Sequence, residues 1–264
     1  MPRSMPGLAL ALAASIPLLC AAVPVQFQPV GKAPTPAPLG FDYLHLVQEW
    51  PGSFCDSKRG CSWPSVEPIK GWLLHGLWPE FNNGSWPEYC DSSAPFNMTK
   101  IQDMLPELQE YWPSLVSPDE EAFWNHEWTR HGTCAEKMTP EEHDYFRLVL
   151  TLREKFDAYK ILASKGIMAN STTTWRAVKD ALESVVGGTV EVGCNIDAQG
   201  RKQLYEVRSC YEPAGARAGL AGTPVVQVDC IHDFYYKSCG TPNATIFYPP
   251  FGKSPTPGMP SAGL

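Results

Sequence analysis

Positive charge is in short supply in this sequence: 21 Lys and Arg stand against 28 Asp and Glu, for a formal net charge of −7. Tight, sequence-independent binding to a nucleic acid backbone needs a basic face, so that class is disfavoured, while a small cationic pocket for one phosphate is still permitted. No CxxC pair occurs, and no Cys–His spacing matches a zinc module. No unit of roughly 20 to 50 residues recurs, which excludes a repeat array. Past the N-terminal segment, no apolar run is long enough to cross a membrane. A KDEL-type ending is missing too, so retention in the endoplasmic reticulum is not expected.

What is present begins with MPRSMPGLALALAASIPLLCAA, one Arg followed by an apolar run and small residues at its end. It reads as a secretory signal peptide over residues 1–22, too short and interrupted for a spanning helix. Arg3 is its one charged residue, so removal takes the net charge from −7 to −8. The expected destination is the secretory pathway, extracellular or vacuolar/lysosomal, with no membrane attachment after cleavage. Cysteine usage agrees. Of nine cysteines, Cys20 lies in the signal, which leaves an even set: Cys55, Cys61, Cys90, Cys134, Cys194, Cys210, Cys230 and Cys239. Such a set behind a signal reads as four disulfides, whose pairing spacing alone does not choose. Sequons at Asn83, Asn97, Asn170 and Asn243 mark expected surface glycosylation sites.

Residues 23–40 form a Pro-rich leader, and residues 251–264 a Pro/Gly-rich tail expected to be disordered. Between them, FDYLHLVQEW and KGWLLHGLW have the content of buried strands, the second ending at the turn residue Pro79. Asp91 to Leu115 looks helical but interrupted by prolines. SPDEEAFWNHEWTRHG has helix grammar: Ser117 as cap, Pro118 first, acids next and Gly132 at the end. TPEEHDYFRLVLTLREKFDAYKILASKG reads as one helix from Thr139 to about Gly166, and STTTWRAVKDALESVVGG as another stopped by Gly187 and Gly188. The short alternating runs TVEVGCNIDAQGRKQLYEVRSCYE and TPVVQVDC read as antiparallel strands. Helices and antiparallel strands without βαβ alternation predict an α+β fold in one disulfide-bonded domain.

FWNHEWTRHGTC concentrates the chemistry. In HEWTRH the histidines are five apart, which is about 140° around a helix, so they do not face one zinc as the pair in HExxH does. The spacing instead aligns Glu127 with His131 and His126 with Arg130, each at i,i+4. An imidazole, an oriented carboxylate and a cationic donor suit acid–base work on a phosphate ester. RNA cleavage needs neither metal nor protein nucleophile, because the 2′-hydroxyl attacks its own phosphorus. It needs one neutral and one protonated histidine, available near the usual pKa of about 6.5. His75 in WLLHGLWPE is the natural second histidine, and its neighbour Trp78 could stack a base. No cofactor and no metal are called for.

WLLHGLWPE and FWNHEWTRHGTC closely resemble the two active-site segments of the ribonuclease T2 family, the secreted acid ribonucleases. FDYLHLVQEWPGSFC resembles the opening strand of its plant S-like members. The resemblance spans roughly residues 40 to 250, making 41–250 the catalytic domain. It implies a central antiparallel sheet flanked by helices. It implies an endoribonuclease of low base specificity on single-stranded RNA, working by transphosphorylation to a 2′,3′-cyclic phosphate and then hydrolysis to a 3′-phosphate. DNA is not expected as a substrate, and the enzyme is expected to be a monomer. The resemblance makes His75 and His131 the acid–base pair, with Glu127 assisting and His126 binding phosphate beside Arg130, where the family usually has Lys. Trp78 and Glu80 match one base site and Phe123 part of the other. Glu49 stands where plant members commonly have Gln, which leaves base preference open. The implied disulfides are Cys55–Cys61, Cys90–Cys134, Cys194–Cys239 and Cys210–Cys230.

Duller readings compete. Trp124 and Trp128 are read as core, and His45, His143 and His232 as structural. A binding or storage glycoprotein on an inactive ribonuclease fold would have been indicated by loss of His75 or His131, and both are present. A self-recognition ribonuclease of the pollen-rejection kind is usually basic, and this chain is acidic.

Overall fold

The strand β1 (Tyr43–Glu49) is buried at all seven positions, because its β-branched, aromatic and aliphatic residues lie between two other strands. On one side it pairs antiparallel with β2 (Leu73–Glu80), on the other with β5 (Lys202–Pro213), the longest strand. The opposite edge of β5 is paired by β4 (Val190–Ile196) and then by β6 (Val225–Val228). β7 (Thr245–Tyr248) joins β5 through one parallel bridge, Gln203 to Phe247, and pairs antiparallel with β3 (Ser171–Thr174). The sheet is therefore antiparallel except at that bridge. This computed structural model describes residues 39–213, 225–231 and 236–252. The signal over 1–22, most of the leader, His232 and the tail from 253 lie outside them.

Helices complete an α+β domain: α1 (Pro51–Cys55), α2 (Leu105–Tyr111), α3 (Glu120–Arg130), α4 (Glu142–Lys155), α5 (Ala158–Ser164), α6 (Trp175–Glu183) and the single turn α7 (Tyr236–Cys239). Short 3₁₀ segments precede α2 and follow α3. Among the described residues, no helix is long and apolar enough to cross a membrane. α4 buries Tyr145, Phe146, Val149 and Leu152, one face of a 3.6-residue period, against the sheet side that carries Leu44, Leu46 and Leu77. Each such side chain contributes on the order of 1.5–3 kcal/mol by leaving water. Trp124 and Trp128 belong to this core; their indole N–H groups donate to the carbonyls of Trp112 and Ala94 at 2.8 and 2.9 Å.

Several boundaries differ from those expected. α3 is capped by Asp119, whose carboxylate accepts the Ala122 N–H at 2.9 Å, so Ser117 and Pro118 stay outside the helix. The long helix from Thr139 to Gly166 is two helices. Phe156 leaves helical geometry to bury its ring, and Asp157 then caps α5 by accepting the Lys160 N–H. β2 continues through Pro79 to Glu80, Pro79 needing no donor toward its neighbour. Ser171–Thr174 is a strand before Thr174 caps α6, which ends at Glu183, ahead of the two glycines. Phe251 packs its ring 5.7 Å from Trp50 and 5.8 Å from Trp63, so ordered packing extends past residue 250.

The disulfides are Cys55–Cys61, Cys90–Cys134, Cys194–Cys239 and Cys210–Cys230, the pairing that the family resemblance implies. Asn83, Asn97, Asn170 and Asn243 are all exposed.

Candidate active site

Period-two alternation sorts β1, β2 and β5 into an apolar face and a charged one. The register sets Glu49 opposite Glu206, Val47 opposite Arg208 and Gly76, and His45 opposite Trp78 and Cys210. These partners share the second face. His75 does not fit the alternation: Val47 faces Gly76 and the next residue, Gln48, faces Leu74, so His75 is the extra residue of a β-bulge. A bulge re-aims one side chain, and here it sends an imidazole toward the charged face.

α3 lies against β2 at Gly76 and Trp78, so that Glu127 reaches that face while Trp124 and Trp128 enter the core. Trp124, Glu127, Trp128 and His131 form its buried stripe, while His126 is exposed and Arg130 half-buried on the neighbouring stripe. His131 is the C-cap and its N–H still bonds the Glu127 carbonyl at 3.1 Å. Gly76 makes the close approach possible. A Cβ there would sit 2.2 Å from both Glu127 Oε2 and Trp78 Nε1. Gly132 serves the turn after α3, where a Cβ would meet the Trp128 ring at 2.4 Å.

His75, Trp78, Glu80, Trp86, His126, Glu127, Arg130, His131 and Arg208 line one cavity of about 280 Å³. A larger cleft of about 610 Å³ runs along the outer side of α3, past Tyr89, Phe96 and Asn125. It holds none of the histidines, so chemistry rather than volume selects the smaller one. Trp78 is the pivot. His131 stacks on its ring at 5.2 Å and 26°, His75 meets it edge-on at 4.9 Å, and its Nε1 donates to Glu127 Oε2 at 3.1 Å. The Arg208 guanidinium lies 5.1 Å over the same ring. Trp86 is the more open aromatic, 53% exposed at the cavity.

The remaining expected residues sit around this group. Glu80 is buried and lies 3.4 Å from His45 Nδ1, while Glu191 approaches the other nitrogen of that buried ring at 3.4 Å. Glu49 is buried beneath His75, 3.9 Å from its Nδ1. Phe123 packs partly buried against the core and lines neither cavity. His143 is away at the surface on Asp103. Glu206, Arg208 and Trp86 were not singled out from the sequence. The first two come from β5, about 130 residues from His75, in a run read only as a strand; strand pairing brings them in. Trp86 stood in a Trp-rich segment and exposure alone distinguishes it.

Electrostatics divide the two histidines. Burial alone would lower the pKa of His75, but Glu49, Glu206 and Glu127 outweigh it and raise it to about 9. His131 goes the other way, down to about 2, because it is buried and faces Arg130, His126 and His75 with no carboxylate partner of its own. Burial lifts Glu127 to about 7 despite His75 nearby, and lifts Glu49 to about 7 with help from Glu206. His126 is lowered by burial and by Arg130. Arg130 itself is tethered to Glu88 at 3.0 Å. Ligating atoms of His126, Glu127 and His131 lie within 4.8 Å of one another, as do those of Glu49, His75 and Glu206. Either triad could hold a cation geometrically, but Arg130 beside the first and Arg208 beside the second oppose it.

The sequence profile of the Ribonuclease T2 family matches residues 41–218. The chain belongs to the ribonuclease T2 family. It is 37% identical to Ribonuclease 1 of Arabidopsis thaliana over 215 residues, 80% of this chain and 87% of that protein. It is 37% identical to the extracellular ribonuclease LE of Solanum lycopersicum over 180 residues, 67% of this chain and 78% of that one. The crystal structure of RNase NT in complex with 5′-AMP superposes with a TM-score of 0.69 at 34% identity, covering 80% of this chain and 99% of that one. This member of the ribonuclease T2 family is accordingly an endoribonuclease, its substrate RNA.

Proposed function

We propose that the enzyme cleaves single-stranded RNA without a metal, by transphosphorylation to a 2′,3′-cyclic phosphate followed by hydrolysis to a 3′-phosphate. The observation that carries this reading is two histidines in opposite electrostatic surroundings in one cavity. His75, among the carboxylates of Glu49, Glu206 and Glu127, meets the Trp78 ring edge-on, and His131, facing Arg130 and His126, stacks on it. Neutral His131 takes the 2′-hydroxyl proton as that oxygen attacks phosphorus. Cationic His75 gives its proton to the departing 5′-oxygen. His126 and Arg130 meet the non-bridging phosphate oxygens, and Glu127, tied to Trp78, balances the charge of the transition state. In the second step water attacks phosphorus in place of the departed 5′-oxygen and gives its proton to His75, while His131 returns its proton to the leaving 2′-oxygen.

Base recognition falls to the aromatic rings and carboxylates around the cavity. Trp86 offers an open face for stacking and Trp78 and Glu80 form one wall, while Phe123 and Glu49, expected from the family resemblance to contact bases, lie outside the cavity lining. DNA lacks the attacking hydroxyl and is excluded by chemistry. The signal-peptide pattern of 1–22, the four disulfides and the exposed sequons support routing through the secretory pathway, with 1–22 removed, 23–40 a Pro-rich leader and 251–264 a tail, and a monomer free of the membrane as the product. The extracellular location that ribonuclease LE has by name agrees with that route.

The test is digestion of RNA and of its 2′-deoxy counterpart from pH 4 to 8 with EDTA present, beside His75→Ala and His131→Phe. Cyclic phosphate ends by mass spectrometry, RNA-only cleavage and loss of at least about 1,000-fold in both variants are expected. Cleavage abolished by EDTA, or full activity in His131→Phe, would sink the two-histidine mechanism.

A further inference from the structure

β5 delivers Arg208 to the wall of the cavity and Glu206 to a buried place behind His75. Glu206 and Arg208 are two apart and share one face of the strand. Glu206 is 3% exposed, and its two oxygens are divided between two partners. Oε1 lies 2.9 Å from His75 Nδ1, and Oε2 accepts from Arg208 Nη2 at 3.1 Å. A buried carboxylate costs several kcal/mol in lost hydration unless both oxygens are matched, so the arrangement is a fixed one. With Nδ1 engaged by Glu206, Nε2 is the nitrogen left for substrate.

We propose that Glu206 is a positioning residue for the ribonuclease reaction: it accepts the Nδ1 proton of His75, fixes the imidazole so that Nε2 carries the transferable proton, and favours the imidazolium, while Arg208 locks the carboxylate in place. This rests on the assignment of His75 as the general acid. The proton count closes. His75 gives its Nε2 proton to the 5′-oxygen, keeps the Nδ1 proton toward Glu206, and is re-protonated at Nε2 in the hydrolytic step. A carboxylate on the far nitrogen of a catalytic histidine sets tautomer, orientation and charge together.

Other charges also face His75: Glu49 from β1, Glu127, His126 and Arg130 from α3, and His131 at its end. None of them does what Glu206 does. Glu49, at 3.9 Å, supplies field but no aimed hydrogen bond. Glu127 is engaged by Trp78. As pH falls, Glu49 and Glu127, both raised to about 7 by burial, take up protons before Glu206 does. Glu206 stays ionised below the usual carboxylate range: its bond to His75 and the charge of Arg208 outweigh its burial.

Histidine-ring NMR titration of the substrate-free protein, with His75→Ala to assign the resonance, decides the matter alongside kcat and KM against pH. Glu206→Gln keeps the shape and removes the charge. It is expected to lower the His75 midpoint by about one to three pH units. It is expected to move the alkaline limb of kcat down with it, and to cut kcat roughly 10- to 100-fold while KM stays within about threefold. Glu206→Asp, which keeps the charge one methylene further away, is expected to fall between. An unmoved midpoint in Glu206→Gln with native His126 and His131 signals overturns the proposal. So do equal kcat losses in Gln and Asp with no shift. Should the Gln variant not fold, an Asp variant unchanged in both midpoint and kcat overturns it equally. The titration is read without RNA, so failure of the ribonuclease roles and failure of the Glu206 link are told apart.

Discussion

At the scale of single residues, the two histidines are alike in type and opposite in surroundings. His75 is ringed by Glu49, Glu206 and Glu127, and His131 by Arg130, His126 and His75. The sign of the pH dependence follows. A general base works only when deprotonated, so activity rises with pH through the lowered pKa of His131. A general acid works only when protonated, so activity falls as pH passes the raised pKa of His75. The kcat profile is therefore expected to keep its acid limb well below the ordinary histidine value of about 6.5 and its alkaline limb above it. Substantial activity at pH 5 is the expected measurement, reduced only by protonation of Glu127, whose pKa is raised to about 7. An acid limb centred near 6.5 would show that His131 is an ordinary solvated histidine. In the bound state the phosphate will raise His131 somewhat, so kcat/KM, which reports the free enzyme, is the sharper readout.

At the scale of elements, the site depends on how closely α3 lies on β2, and Gly76 sets that distance. Gly76→Ala is expected to push Glu127 and Trp78 apart, because the added Cβ would stand 2.2 Å from an atom of each. Activity should drop by at least about 100-fold, as a displacement of about 1 Å near the reacting atoms does, with far-ultraviolet circular dichroism unchanged. Retained activity would mean that the contact is loose. The same scale shows what could be read from sequence. β1, β2 and α3 were legible because each is local: a buried strand reads from its composition, and the stripe of Glu127 and His131 from a spacing of four. The second half of the site was not. Glu206 and Arg208 come to His75 through pairing of β5 with β1, a contact between residues more than 150 apart that no local pattern announces. The break at Phe156 and Asp157 was hidden for a related reason. No Gly or Pro marks the break, and a tertiary slot for one phenylalanine decided the boundary. The bulge at His75 was likewise invisible, since a bulge is a property of two strands and not of one.

At the scale of the whole molecule, the acidic net charge and the cationic cavity pull in different directions. The chain carries −7, yet Arg130, Arg208 and His75, whose pKa is raised to about 9, converge on one small space. Affinity for RNA must then come from one or two phosphates and from stacked bases, not from a long-range field. Counterion release gives that a number. On a single strand the slope of log K against log salt is about −0.7 per phosphate neutralised, so two contacts predict a slope near −1.4 and a KM rise of about sevenfold between 50 and 200 mM salt. A basic nuclease with several phosphate contacts would lose far more over the same range. Arg130 is held by Glu88 at 3.0 Å in the free enzyme, so part of its charge is already compensated before RNA arrives. Removing that tether with Glu88→Gln should therefore lower KM at low salt and steepen the slope toward that of three contacts, with kcat little changed. A KM series in sodium chloride on a short oligonucleotide checks both. A slope steeper than about −3 in the unmodified enzyme would place further phosphate contacts outside the cavity and refute a site that grips its substrate at so few points.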